Sequence, residues 1–199
     1  MPPLAEKAKQ IFHYADYLTW PDQERWEIIE GVPYDMTPAP ASDHQMVLGE
    51  IFGNLWQYLK NKSCRVFMAP FDVRLSQKPD ADDNSIETVV QPDIVVICDQ
   101  KKIDQRGCHG APDITVEILS PASAYKDETE KLMLYEKFGV REYWIVNPAA
   151  QYIMIYRHEG GEFCRPEYFA KNDRLVSQVL PDFSLNLTTI WNNKSTARG

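Results

Sequence analysis

QPDIVVI (residues 91–97) and APDITVEILS (residues 111–120) each place a Pro-Asp pair directly before a run of β-branched and other apolar residues. Runs of this kind, bounded by proline and polar residues, predict short buried strands. The second run carries an acid, Glu117, within its apolar part. Because alternate side chains of a strand share a face, Glu117 interrupts a face that should be apolar.

Glu117 needs a compensating partner, because an unpaired ionised carboxylate inside a protein costs several kcal/mol even after relaxation. A metal ion would be a sufficient partner. A lysine or arginine would also serve, and so would water if the side chain emerges just before Ser120-Pro121. This glutamate alone does not distinguish these alternatives.

A suitably spaced lysine lies in the segment that follows. A helix is predicted from about Ala124 to Phe138, where Gly139 is a natural end. Lys131 begins an i, i+3, i+4, i+7 series in this helix, so it lies at the core-facing edge. Its four-carbon stem can reach back to Glu117. The contact would be a simple ion pair, or it would place an ammonium group where it orients or deprotonates water and stabilises phosphate charge.

The order of predicted elements indicates an α/β (α+β) protein. A helix of about four turns begins near Ser42. The polar residues 98–112 separate the two Pro-Asp strands and predict a loop. After the second helix, REYWIVNP, QYIMIYRH and EFCRPEYF predict three strands of a meander. This order predicts a central mixed β-sheet flanked by α-helices.

Length and composition set further limits. With 199 residues, of which 44% are hydrophobic, we expect a single domain over residues 1–199, with a core at about 15–185 and a frayed tail at 194–199. No apolar stretch reaches the ~18 residues of a membrane span, and no signal-peptide pattern is present, so a cytoplasmic location is expected. The four cysteines form no CxxC pair and predict free thiols. The net charge of −8 excludes a protein that coats polyanions over its whole surface, but it does not exclude a local groove.

Several motifs together resemble a known family. GEIFGNLWQYL, QPDIVVI and GAPDITVEILSP, followed by a lysine-bearing helix and GVREYWIVNP, are similar to the Uma-two family of proposed bacterial endonucleases. That family is in the PD-(D/E)XK restriction-endonuclease-like superfamily. The similarity spans roughly residues 15–185. The combination of VEILSP with YEKFGVREYWIVNP is specific, whereas Pro-Asp alone is not.

The resemblance implies a restriction-endonuclease-like core, with helices on both faces of a central mixed β-sheet. It also implies that Asp93 and Glu117 bind Mg²⁺, with Mn²⁺ as a substitute. The superfamily's lysine normally stands two residues after the second acid, where this chain has Leu119. Lys131 is the candidate that replaces it. Glu50 is a further candidate, because related nucleases often take a metal-site carboxylate from the first long helix; an exposed helical glutamate is the alternative.

Other candidates carry weaker signals. His44, near the start of the first long helix, can contact phosphate, cap the helix or lie on the surface. Asp113 lies roughly 13 Å before Glu117 along a strand, which favours a structural or supporting role. Glu27 is also interpreted as structural, although the family tends to carry an acid there. Three basic side chains in the loop between the Pro-Asp strands are candidates for a phosphate clamp close to the site, or for a solvated loop: Lys101, Lys102 and Arg106.

These features predict a metal-dependent endonuclease that hydrolyses phosphodiester bonds in nucleic acid, with DNA as the expected substrate. Two protein carboxylates and a phosphodiester oxygen leave Mg²⁺ a water for in-line attack. One alternative is a nuclease-fold binding or regulatory module without turnover, which the acidic surface and the displaced lysine favour. Another is a metal-independent hydrolase with Asp93 and Glu117 as acid and base. A homodimer is expected if the aromatic residues of the meander are exposed rather than core: Tyr143, Trp144, Tyr152, Tyr156 and Tyr168.

Overall fold

The structure of the protein is a computed structural model that describes residues 10–21, 23–36, 41–78 and 80–192. Its helices are α1 (Tyr14–Tyr17), α2 (Ser42–Leu59), α3 (Ala124–Glu128), α4 (Glu130–Phe138) and α5 (Leu187–Asn192), and a short 3₁₀ helix spans Gln100–Lys102. Its strands are β1 (Trp26–Ile29), β2 (Val32–Asp35), β3 (Arg65–Met68), β4 (Val73–Arg74), β5 (Val89–Val90), β6 (Ile94–Ile97), β7 (Ile103–Asp104), β8 (Gly107–His109), β9 (Ile114–Ile118), β10 (Glu142–Asn147), β11 (Tyr152–Glu159), β12 (Glu162–Phe163), β13 (Glu167–Phe169), β14 (Arg174–Val176) and β15 (Ser184–Asn186). The predicted frayed tail at 194–199 lies outside the described residues.

The central sheet contains both Pro-Asp strands as neighbours. Its order is β12-β11-β10-β9-β6-β3, and β13 also pairs with β11. β9 and β10 are parallel, and α3 and α4 form the helical crossover that a parallel pair requires. β6 pairs with β9 in the antiparallel direction, as β3 does with β6 and β10 does with β11. The predicted central mixed sheet is therefore confirmed.

One face of the central sheet is covered by α2 and α5. The predicted helix from Ser42 is present as α2, and its buried residues Val47, Leu48, Ile51 and Leu55 recur at helical spacing. They pack in one apolar cluster with residues of β9 and β10. Full burial of each such side chain contributes ~1.5–3 kcal/mol, which fixes α2 on this face. Among the described residues, no helix combines the length and apolar character needed to cross a bilayer.

The opposite face is covered by α4 and by a second sheet of order β2-β1-β5-β4-β8-β7. Leu134 and Tyr135 of α4 pack in the apolar cluster on this side. Glu117 lies on this face, because its neighbours Val116 and Ile118 belong to the cluster under α2. The strand alternation thus directs the buried acid towards the helix that carries Lys131.

Two local predictions were wrong. The residues 98–112, predicted as a polar loop, contain β7 and β8, which pair at the edge of the second sheet. The helix predicted over 124–138 is interrupted at Thr129, whose backbone has φ −127° and ψ −77°. The β-branched Thr129 directs its hydroxyl to the carbonyl of Tyr125 at 2.5 Å, a local hydrogen bond that competes with regular helix geometry.

The prediction of four free thiols was also wrong. Cys64 and Cys98 form a disulfide, whereas Cys108 and Cys164 are free. The reason lies in the pairing of β3 with β6, which sets Arg65 opposite Ile97. One further step of the same register puts the two bonded cysteines directly opposite each other, with their Cα atoms 3.9 Å apart.

The aromatic residues of the meander divide between core and surface. Tyr143 and Trp144 on β10 are fully buried, so these two aromatic residues belong to the core and not to an exposed surface. Tyr168 on β13 is 58% exposed and contacts the ring of Tyr152 on β11. The homodimer stays a prediction.

Candidate active site

The two Pro-Asp strands bring Asp93 and Glu117 to the same end of the β6–β9 pair. Because Ile94 lies opposite Val116 in this antiparallel pair, the next step of the register sets Asp93 opposite Glu117. Directly opposed residues have their side chains on the same face. The Oδ2 atom of Asp93 accepts a hydrogen bond from the backbone N–H of Ile118 at 2.7 Å. This bond holds the Asp93 carboxylate against β9.

Lys131 makes the contact that the helical spacing predicts. Its Nζ atom donates to Oε1 of Glu117 at 2.8 Å, and the ammonium is almost fully buried. Tyr135, one helical turn later, donates its hydroxyl to the same Oε1 atom at 2.9 Å. Glu117 is therefore fixed by two donors from one face of α4, as i and i+4 residues of a helix lie side by side.

Glu27 of β1 is a second acidic partner of Lys131. It is fully buried, and its Oε1 atom lies 2.7 Å from the Nζ atom of Lys131. It also accepts from the Nζ atom of Lys126 at 3.0 Å and from the backbone N–H of Gln91 at 3.0 Å. Burial opposes ionisation, but Lys131 and Lys126 outweigh it and lower the pKa of Glu27 to about 2. The interpretation of Glu27 as structural is incomplete, because it shares its main partner with Glu117.

Asp127 is the acid that the sequence reasoning missed. It is 2% exposed, and its Oδ1 atom lies 3.7 Å from the Nζ atom of Lys131. Burial raises the pKa of Glu117 to about 8; Lys131 opposes this shift, and Asp127 and Asp93 reinforce it. The spacing of four residues between Asp127 and Lys131 was the available signal, since it predicts neighbours on a helical surface.

His44 lies beside Asp93 at the first turn of α2. Its Nε2 atom is 3.2 Å from Oδ2 of Asp93, and the side chain is largely buried. Burial lowers the pKa of His44, but the hydrogen bond and charge of Asp93 outweigh it and raise the pKa overall. The first turn of α2 therefore lies against the start of β6.

Glu50 lies further along α2. It is half-buried and follows His44 by six residues, which is about 9 Å along the helix axis. A metal-binding role for Glu50 stays a prediction.

Asp113 lies at the other end of the strand pair and repeats the pattern of Asp93. Its Oδ2 atom accepts from the backbone N–H of Cys98 at 2.7 Å, as Asp93 accepts from Ile118. Its other oxygen pairs with Arg141 at 3.1 Å. These contacts agree with the expected structural role.

The proximity of the basic loop to the site stays a prediction. Because β6 and β9 are antiparallel, the chain that connects them leaves the sheet about 16 Å from Asp93. β8 then carries the chain back beside β4, where Val73 lies opposite both Cys108 and Val90. Lys102 donates to a backbone carbonyl of its own loop at 2.8 Å, and Arg106 pairs with Asp83 at 2.6 Å. Lys101 is exposed in the short 3₁₀ helix. A phosphate clamp of these three side chains stays a prediction.

Comparison with known proteins gives the family. The Uma2 family model, described as "Putative restriction endonuclease", matches residues 14–188. The chain belongs to the Uma2 family. A crystal structure described as "a putative nuclease belonging to DUF820", from Anabaena variabilis ATCC 29413, matches with a TM-score of 0.72 and 21% identity over 91% of this chain and 98% of that chain. At this identity the likeness establishes the shared fold alone. No curated protein matches the chain.

The candidate site contains carboxylate oxygens, the ligands that Mg²⁺ prefers. Its acids outnumber its lysines: Glu27, Asp93, Glu117 and Asp127 face Lys126 and Lys131. Oδ1 of Asp127 is buried without a hydrogen-bond partner, so the acidic charge is not fully compensated. Across the described residues, no group of three or more His, Cys, Asp or Glu side chains is arranged to hold a metal ion. Magnesium is commonly held by one or two carboxylates plus waters and substrate phosphate, so the opposed pair Asp93 and Glu117 fits this ion.

Proposed function

We propose that this Uma2 protein is a metal-dependent endonuclease that hydrolyses phosphodiester bonds in DNA. The observation that carries the proposal is the opposition of Asp93 and Glu117 at one end of β6 and β9, with the Lys131 ammonium 2.8 Å from Glu117. Two carboxylates and a cation at one point supply the metal ligands and the phosphate-stabilising charge that phosphodiester hydrolysis requires. Membership of the Uma2 family, with its description "Putative restriction endonuclease", supports the same reaction class.

Asp93 and Glu117 are proposed to hold Mg²⁺, for which Mn²⁺ would substitute. When bound, the ion would polarise a phosphodiester oxygen and lower the pKa of a water. The Ile118 N–H holds Asp93 in place for this task, and the Tyr135 hydroxyl does the same for Glu117.

Lys131 is proposed to donate hydrogen bonds rather than to accept a proton. Burial lowers the pKa of Lys131, but Glu117, Glu27 and Asp127 outweigh it and raise the pKa well above its ordinary value. The ammonium therefore stays charged at neutral pH. It can orient a water or stabilise charge on a phosphate oxygen, but it is not a base there.

Substrate binding needs positive charge near this end of the sheet. We propose His44 as a phosphate contact, because it lies against Asp93, whose hydrogen bond and charge raise the pKa of His44. The same proposal includes DNA as the substrate, a homodimer and a cytoplasmic location. Gel filtration with light scattering would test the dimer.

The decisive experiment combines metal binding with DNA cleavage. Calorimetry with MgCl₂ or MnCl₂ should show binding that Asp93→Asn removes. Cleavage of supercoiled DNA should fall at least ~100-fold in Glu117→Gln and Lys131→Met, the size expected for loss of one charge-stabilising group. Asp113→Asn is the matched control: it changes the second Pro-Asp pair, at the other end of the same strands, and should retain both activities.

A second candidate is a nuclease-fold binding module without turnover. The observation that favours it is the buried contact of Lys131 with Glu117, which occupies a proposed metal ligand. DNA binding without metal-dependent cleavage would support this candidate. Cleavage that persists in EDTA would instead indicate a metal-independent hydrolase in which Asp93 and Glu117 act as acid and base.

A further inference from the structure

The Lys131 ammonium has three acidic neighbours but unequal contacts with them. Oε1 of Glu27 and Oε1 of Glu117 lie at 2.7 and 2.8 Å, whereas Oδ1 of Asp127 lies at 3.7 Å. An ammonium group carries three N–H donors. Two of the three acids thus lie at hydrogen-bond distance, and the third lies just beyond it.

One carboxylate oxygen of Asp127 accepts no hydrogen bond. Its Oδ1 atom is buried and has no hydrogen-bond partner, and it is the same atom that faces Lys131. A buried carboxylate oxygen in a low-dielectric site is normally hydrogen-bonded, so this oxygen is available to accept a hydrogen bond from the Lys131 ammonium. The shift needed is about 0.8 Å, from 3.7 Å to an ordinary N–H···O length of about 2.9 Å.

Glu27 is the fixed member of the three acids. It is held by Lys126 and by the backbone N–H of Gln91 as well as by Lys131. The ammonium can therefore keep its contact with Glu27 while it exchanges Glu117 for Asp127. Bound metal would favour this exchange, because a divalent cation on Glu117 repels an ammonium that shares the same carboxylate.

We propose that Asp127 is a positioning residue, whose Oδ1 atom takes up the Lys131 ammonium when Glu117 turns to the metal ion. This inference rests on the proposed function. Lys131 pivots on Glu27 between two acceptors, Glu117 in the metal-free protein and Asp127 in the metal-bound protein. Glu117 thereby keeps a hydrogen-bond donor in the absence of metal and is released in its presence.

The test is a double-mutant cycle on metal affinity, measured by calorimetry with MnCl₂. Asp127→Asn, which keeps the shape but removes the charge, should weaken Mn²⁺ binding ~10–100-fold, the range found for residues that support metal ligands. Asp127→Glu, which keeps the charge, should weaken Mn²⁺ binding less than Asp127→Asn does. In a Lys131→Met background, Asp127→Asn should change the affinity by less than ~2-fold, because the ammonium that Asp127 accepts is absent. Glu128→Gln, at the exposed neighbouring position, is the matched control.

Each outcome separates this inference from the proposed function. An equal loss in both backgrounds would show that Asp127 acts on the metal directly, and no loss in either would show that it does not act at all; both overturn the inference and leave the nuclease proposal standing. Absence of Mn²⁺ binding by the unmodified protein would overturn both. If Lys131→Met fails to fold, a crystal structure of the unmodified protein with Mn²⁺ decides between the two arrangements of Lys131. The distance from Nζ of Lys131 to Oδ1 of Asp127 should then shorten to about 2.9 Å, and an unchanged 3.7 Å would refute the exchange.

Discussion

Replacing Glu27 with glutamine tests whether the buried charges hold β1 to the central sheet. Glu27 is fully buried and receives hydrogen bonds or ion pairs from Lys131, Lys126 and the Gln91 backbone. Glutamine has nearly the same shape, so the change removes the charge with little change in packing. We expect the free energy of unfolding to fall, because Lys131 loses one of its two close acidic partners.

The magnitude follows from the pKa of Glu27. The folded protein lowers this pKa from an ordinary 4.5 to about 2. That difference corresponds to about 3 kcal/mol of stability at pH 7. Loss of one partner from a buried pair generally costs ~3–5 kcal/mol, which agrees. The value is an upper estimate, since Glu27 is one of the acids that raise the pKa of Glu117 and its removal relieves that repulsion.

The sign of the pH dependence is fixed by the same shift. Because the folded pKa of Glu27 lies below the unfolded value, its contribution is present above pH 4.5 and is lost as the pH falls through about 2. The stability difference between the natural protein and Glu27→Gln should therefore be roughly half as large at pH 3 as at pH 7.

The assay is urea unfolding followed by far-ultraviolet circular dichroism at pH 7 and pH 3. Glu30→Gln is the matched control, because Glu30 pairs with Lys137 on the surface, where their side chains are 61% and 51% exposed. That exposed pair should contribute less than ~1 kcal/mol. A loss below ~1 kcal/mol for Glu27→Gln at pH 7 would refute the reasoning, as would a loss that is the same at both pH values.

Two further outcomes can be measured directly. Ellman's reagent should label one thiol in the native protein, the exposed Cys164, and a second only after unfolding, because burial raises the pKa of Cys108 to about 12. The other two cysteines should react only after reduction, and four reactive thiols in unreduced, unfolded protein would contradict the disulfide. A triple alanine variant of the basic loop should leave the Kd for duplex DNA at low salt unchanged, because two of its three side chains are already engaged within the protein, one with a backbone carbonyl and one with Asp83. A large loss of affinity would restore the phosphate clamp. The three positions are Lys101, Lys102 and Arg106.

The sequence by itself determined which side chains share a face within one element. The repeat of two residues in a strand put Glu117 on a face that should be apolar, and the helical repeat put Lys131 at a core-facing edge. Asp127 was within reach of the same argument, because it lies four residues before Lys131. These inferences succeed because the periodicity of each element is set by local backbone geometry, which a short stretch of sequence reports.

The tertiary structure decided which elements meet and in which direction. The antiparallel register of β6 and β9 set Asp93 opposite Glu117 and put the point where the basic loop leaves β6 at the other end of the pair. The pairing of β3 with β6 likewise joined Cys64 to Cys98. Glu27 reaches Lys126 across 99 positions of the chain. Strand order, direction and register depend on the summed burial of many distant side chains, so no local pattern in this sequence could report them.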